Sequence, residues 1–71
     1  MTQYTILVED TGSNFAAYAP DVPGCVATGK TIDEVTRRME TALEMHVELL
    51  LESGEQIPAP STVALTVSVN A

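Results

Sequence analysis

The chain has 71 residues, 45% of them apolar, and ten acidic side chains stand against three basic ones for a formal net charge of −7. That length allows one domain, and an acid excess of this size repels phosphate backbones, which argues against direct nucleic-acid binding and for a basic partner. One cysteine excludes an internal disulfide, one histidine leaves zinc short of its three or four N/S ligands, and no apolar run approaches the ~18 residues of a membrane span.

Residues 4–9 (Tyr-Thr-Ile-Leu-Val-Glu) are rich in β-branched and aromatic side chains and predict a strand with Tyr4, Ile6 and Val8 on one face. Turn chemistry fills residues 10–14, and residues 15–19 return as a second strand to complete a hairpin. Pro20 and Pro23 fix φ, and Gly24 can take φ > 0, so the Asp21-Val22-Pro23-Gly24 stretch predicts a tight entry into a third strand over residues 25–28. Thr31 stands as a helix N-cap with Glu34 three residues on, the spacing of a capping box. A helix over residues 32–53 follows, with Val35, Met39, Ala42, Leu43, His46, Leu49 and Leu50 on its core side. Gly54 fits the C′ position, Pro58 and Pro60 prevent the helix from resuming, and Val63, Leu65, Val67 and Val69 alternate with small and polar residues as a fourth strand.

These elements predict an α+β fold: a four-stranded mixed sheet in the order β-β-β-α-β along the chain, with one long helix on one face. A right-handed crossover by the helix sets the last strand beside the first, giving the strand order 3-2-1-4. A domain this small usually needs a staple; with disulfide and metal excluded, oligomerisation remains, as a dimer or tetramer. An exposed sheet edge, Leu7 with the small-residue sheet face, or Met45 and Leu51 on opposite flanks of the helix are the candidate contacts.

The order of Phe15 to Ala19, the Pro-Asp-Val-Pro-Gly-Cys turn, Gly29 with Thr31-Ile32-Asp33-Glu34, and the Ala42 to Pro60 exit with its Ser53-Gly54-Glu55 stop resembles the N-terminal domain of the HicB family of bacterial antitoxins. The resemblance covers nearly the whole chain and implies a partial ribonuclease-H-like fold. It also implies a non-catalytic antitoxin that binds a small basic HicA-like ribonuclease toxin, with a double-stranded-RNA-binding-like fold, and blocks its access to messenger RNA. Many HicB proteins continue into a DNA-binding segment, whereas here a single domain over residues 1–71 is expected, without a C-terminal DNA-binding domain, in the cytoplasm. A homo-oligomeric structural or ligand-binding module sharing the fold is the alternative.

No residue set predicts catalysis, a cofactor or a metal. A two-metal nuclease of ribonuclease-H type needs carboxylates around a shared centre, but the adjacent Glu9 and Asp10 point to opposite faces of a strand and Asp21 sits in a proline turn. His46 lies among apolar neighbours, where a lone histidine is more often a core or interface residue than a pH-sensitive group, and Cys25 lacks a flanking cation to activate it. Glu40, Glu44, Glu48 and Glu52 recur every four residues along the outer helix surface. Like charges at this spacing oppose the helix, so the stripe serves either solubility, the commoner use of such runs, or docking of a basic partner.

Overall fold

A computed structural model describes residues 1–71. Three short strands, β1 (Leu7–Asp10), β2 (Phe15–Tyr18) and β3 (Val26–Gly29), form an antiparallel meander in the order β1-β2-β3, and the long helix α1 (Ile32–Glu52) packs across β3 and β2. In β1–β2 Leu7 opposes Tyr18 and Asp10 opposes Phe15; in β2–β3 Phe15 opposes Gly29 and Tyr18 opposes Val26. Alternation then sends Val8, Phe15, Ala17 and Ala27 toward the helix, and Leu7, Tyr18 and Val26 to the open face.

The two prolines and the glycine build a double turn. Val22 N–H donates to Ala19 O at 3.1 Å and Cys25 N–H to Val22 O at 3.3 Å, with Pro20 and Pro23 each first inside its turn. Gly24 follows Pro23 at φ 84°, the geometry of a type II turn, whose third position demands φ > 0. Val22, between the turns, is driven fully inside to join Ala17, Ala19, Cys25, Val35 and Met39 as the buried core.

Both helix caps follow from the sequence, with one shift. Thr31 is extended (φ −134°, ψ 162°) and its Oγ1 accepts from Glu34 N–H at 3.0 Å, but the Glu34 carboxylate accepts from Lys30 N–H at 2.9 Å and not from Thr31. At the other end Glu55 N–H donates to Leu50 O and Gly54 N–H to Leu51 O, with Gly54 at φ 74°: a Schellman ending. On the helix Met39 and Val35 are fully buried, Ala42, Leu43, His46 and Leu50 partly so, while Leu49 stands exposed and leaves the expected core face.

The expected fourth strand does not form within the chain, so the sheet has three strands, and the order 3-2-1-4 is corrected to 3-2-1. Val63, Leu65, Val67 and Val69 are 75%, 85%, 81% and 80% exposed, and no residue beyond Glu55 makes a backbone–backbone hydrogen bond. Period-two alternation specifies which face of a strand is apolar, but it does not supply the neighbour that makes a strand. The first strand also begins later than expected, at Leu7, because β2 ends at Tyr18 where the chain turns into Pro20 and leaves nothing for residues 4–6 to pair with. Tyr4, Ile6 and Val8 nonetheless share the core-facing side, as their spacing predicts.

Candidate functional site

Along α1 two ridges run side by side at four-residue spacing. Leu43, Val47 and Leu51 form an apolar ridge, and Glu40, Glu44 and Glu48 an acidic one. Together with Met1 to Ile6 and Ile57 they line an open groove of about 1080 Å³. A helix brings residues i and i+4 onto neighbouring positions, so the parallel ridges are a direct consequence of the repeat. Glu40, Glu44, Glu48 and Glu52 are all exposed, and Glu52 falls outside the groove.

The acidic stripe has no cation of its own. Arg37 pairs with Asp33 at 2.7 Å and Arg38 with Glu34 at 3.5 Å, both at i,i+4 near the helix start, and Arg38 also donates to Thr28 O at 2.9 Å. Neither guanidinium reaches the four glutamates, and the last helical turn holds no basic residue. Two of the chain's three cations are therefore consumed where the helix dipole already favours acids, and the negative charge of the stripe faces outward uncompensated.

The candidate contact residues fall on three separate surfaces. Leu51 borders the acidic groove, whereas Met45 lines a second groove of about 300 Å³ with Cys25, Val26, His46 and Leu49. Leu7 lies on the open sheet face in a cross-strand row with Tyr18 and Val26. His46 thus sits half-buried at the edge of an apolar groove that Cys25 also lines, with no carboxylate among the lining residues. Burial pushes the Cys25 thiol up from its ordinary value, which leaves it a poor thiolate.

Asp21 has a role that sequence reasoning missed. Its carboxylate accepts four hydrogen bonds: Thr62 N–H at 2.9 Å, Thr62 Oγ1 at 2.8 Å, Ser61 N–H at 3.0 Å and Ser61 Oγ at 3.1 Å. The Thr62 backbone N–H, then the Thr62 hydroxyl, hold the carboxyl below its ordinary 3.8 against an opposing effect of burial, with Ser61 adding to the lowering. Tyr4 Oη donates to Pro58 O at 2.6 Å and Thr5 Oγ1 to Thr62 O at 3.1 Å, so residues 58–62 are tied to the body at three points. The signal was weak: a Ser-Thr pair forty residues from an aspartate has no spacing rule. No three histidine, cysteine or acidic side chains converge, and no helix is long and apolar enough to cross a membrane.

Residues 4–70 match the family model described as the HicB-like antitoxin of bacterial toxin-antitoxin systems. Among solved structures the chain is similar to one from a HicA3 and HicB3 toxin-antitoxin complex, at 32% identity and a TM-score of 0.69, covering 84% of this chain and 70% of that one. An uncharacterised 14.9 kDa protein of Haemophilus phage HP1 is 32% identical over 84% of this chain, which spans 45% of the phage protein's length. A UPF0150 protein of Thermoplasma acidophilum is 29% identical over 92% of this chain and 96% of its own length, and one of Synechocystis 25% over 93% and 85%.

Proposed function

The chain belongs to the HicB-like antitoxins of bacterial toxin-antitoxin systems, and from that membership we propose that it binds a small basic HicA-like toxin and covers the surface with which the toxin reaches messenger RNA. The observation that carries this reading is the uncompensated stripe of Glu40, Glu44, Glu48 and Glu52 on an exposed helix face of a chain with net charge −7. An acidic face competes for the same lysines and arginines that a toxin uses on phosphates, and opposite charge raises the encounter rate. The action is occlusion in the cytoplasm, without chemistry by this chain and without nucleic acid bound by it.

Mixing the protein with a purified HicA-family toxin tests this, with RNA cleavage and complex formation as readouts. Inhibition that weakens as salt rises is expected, since exposed charge pairs are screened beyond about 8 Å at physiological ionic strength. The pair Glu44→Lys and Glu48→Lys should lower affinity about tenfold, two exposed contacts at up to about 1 kcal/mol each. Unchanged affinity moves the docking site off the stripe, and failure to bind any such toxin favours the second reading.

That second reading is a homo-oligomeric module without a toxin. The exposed apolar surface favours it: Met45 and Leu49 lie open on one flank of the helix, Leu51 on the other, and Val26 stands exposed beside half-buried Leu7 on the sheet face. Self-association as a dimer or tetramer through Leu7 or Met45 is compatible with both readings, because both lie away from the stripe, whereas contacts through Leu51 would share its groove.

A further inference from the structure

We propose that residues 63–69 of one copy add as a strand to the free β1 edge of a second copy, reciprocally, so that the folded unit is a strand-exchanged dimer. The proposal rests on the self-association part of the function above, and its test needs no toxin.

Two unpaired backbone rows face no partner in the single chain. One is the outer edge of β1 with residues 1–6 ahead of it, since β1 has β2 on one side only. The other is residues 63–71, which make no hydrogen bond of any kind within the chain. A long, flat, uncovered sheet edge is a template for another chain, and natural proteins cover it.

The lengths agree. Seven residues of strand span about 23 Å, the reach of residues 3–9 of the receiving edge. Faces agree as well: with Tyr4, Ile6 and Val8 facing the core, a strand laid beside them with Val63, Leu65, Val67 and Val69 on the same side brings its apolar row over the Leu43, Val47 and Leu51 ridge. Its other face, Ala64, Thr66 and Ser68, joins the open side of the sheet with Thr5 and Leu7.

Charge selects a second copy over a basic protein as the occupant. Residues 63–71 carry no ionisable side chain, so nothing in them attracts a cationic surface, and the segment itself adds nothing to the repulsion between two −7 chains. The tether favours exchange over folding back: Asp21, Tyr4 and Thr5 hold residues 58–62 against the body, and Pro58 and Pro60 stiffen the approach, so the segment leaves in a fixed direction. The molecule is 48 Å long, whereas its 21-residue helix accounts for about 32 Å. Exchange of an identical element is a low-cost route to a two-fold dimer.

Light scattering after size exclusion, combined with amide exchange above and below the dissociation concentration, decides the matter. Expected is a dimer in which residues 63–69 and 3–9 gain protection together, and which Val67→Pro and Leu65→Asp convert to monomer with unchanged helical circular dichroism, because neither side chain contributes to the core. A monomer with unprotected residues 63–69 overturns the proposal, as does a monomer with both segments protected, which means folding back. A dimer whose residues 63–69 exchange freely, or gain protection without residues 3–9, also overturns it while leaving self-association standing.

Discussion

At the scale of single residues, the positions with the strongest physical demands are small or buried. A β-carbon on Gly29 would stand 2.8 Å from the Val35 backbone nitrogen, closer than real contacts allow, so strand and helix start meet there without side-chain spacing. Gly29→Ala should cost about 1–3 kcal/mol by overpacking, and thermal unfolding should register about 4–8 °C per kcal/mol in a domain of this size. Met39 is fully buried at the centre of six core residues, and Met39→Ala should cost about 2–5 kcal/mol against a total of about 4–11 kcal/mol for 71 residues. Asp21 titrates below 3.8 when folded, so its tether is complete above that pH and lost as pH falls through the lower folded value. Protection of the Ser61 and Thr62 amides, relative to the intrinsic exchange rate at each pH, should fall in that acid window, and Asp21→Asn should show the same loss of protection at neutral pH. Met39 was legible as a periodic apolar position, whereas Gly29 was marked only within the family resemblance and its close approach to the helix was not legible. Asp21 was not, because a carboxylate in a proline turn reads equally well as solvation until the chain beyond the helix is brought to it.

At the scale of elements, α1 was the most legible, because its information is local: a cap, a period of 3.6 and a glycine stop are all read within one turn of where they act. The glutamate stripe belongs to the same scale, and the docking role proposed for it would set stability against binding. Each like-charge pair at i,i+4 costs about 0.2–0.5 kcal/mol, and Glu48 and Glu52 also oppose the helix dipole. Glu48→Lys should therefore raise the stability of the isolated protein by about 1 kcal/mol, measured by thermal unfolding, while weakening toxin binding. A gain in stability with no loss of binding would identify the stripe as solvation only. Leu49 left the core side because the sheet under it is narrow: three strands cover only part of a 21-residue helix, and the apolar positions at its flanks stay open.

At the scale of the whole molecule, seven buried residues in 71 make a thin core, so contacts with a second copy would add a large fraction to its stability. If strand exchange supplies them, thermal unfolding should shift upward with protein concentration, as mass action requires for any species that binds the folded form; a concentration-independent midpoint would speak against it. By itself the sequence determined the meander, a tight proline turn, both ends of the helix, the acidic stripe and the family. Each is written in residues that lie near one another along the chain or in a charge total that needs no geometry. Tertiary structure alone decided that residues 63–69 stay outside the sheet and that Asp21 holds residues 61 and 62. The same folding left the three candidate contact residues on three different surfaces. Pairing is a relation between two backbones, and a single strand's alternation says what it would bury without saying against what.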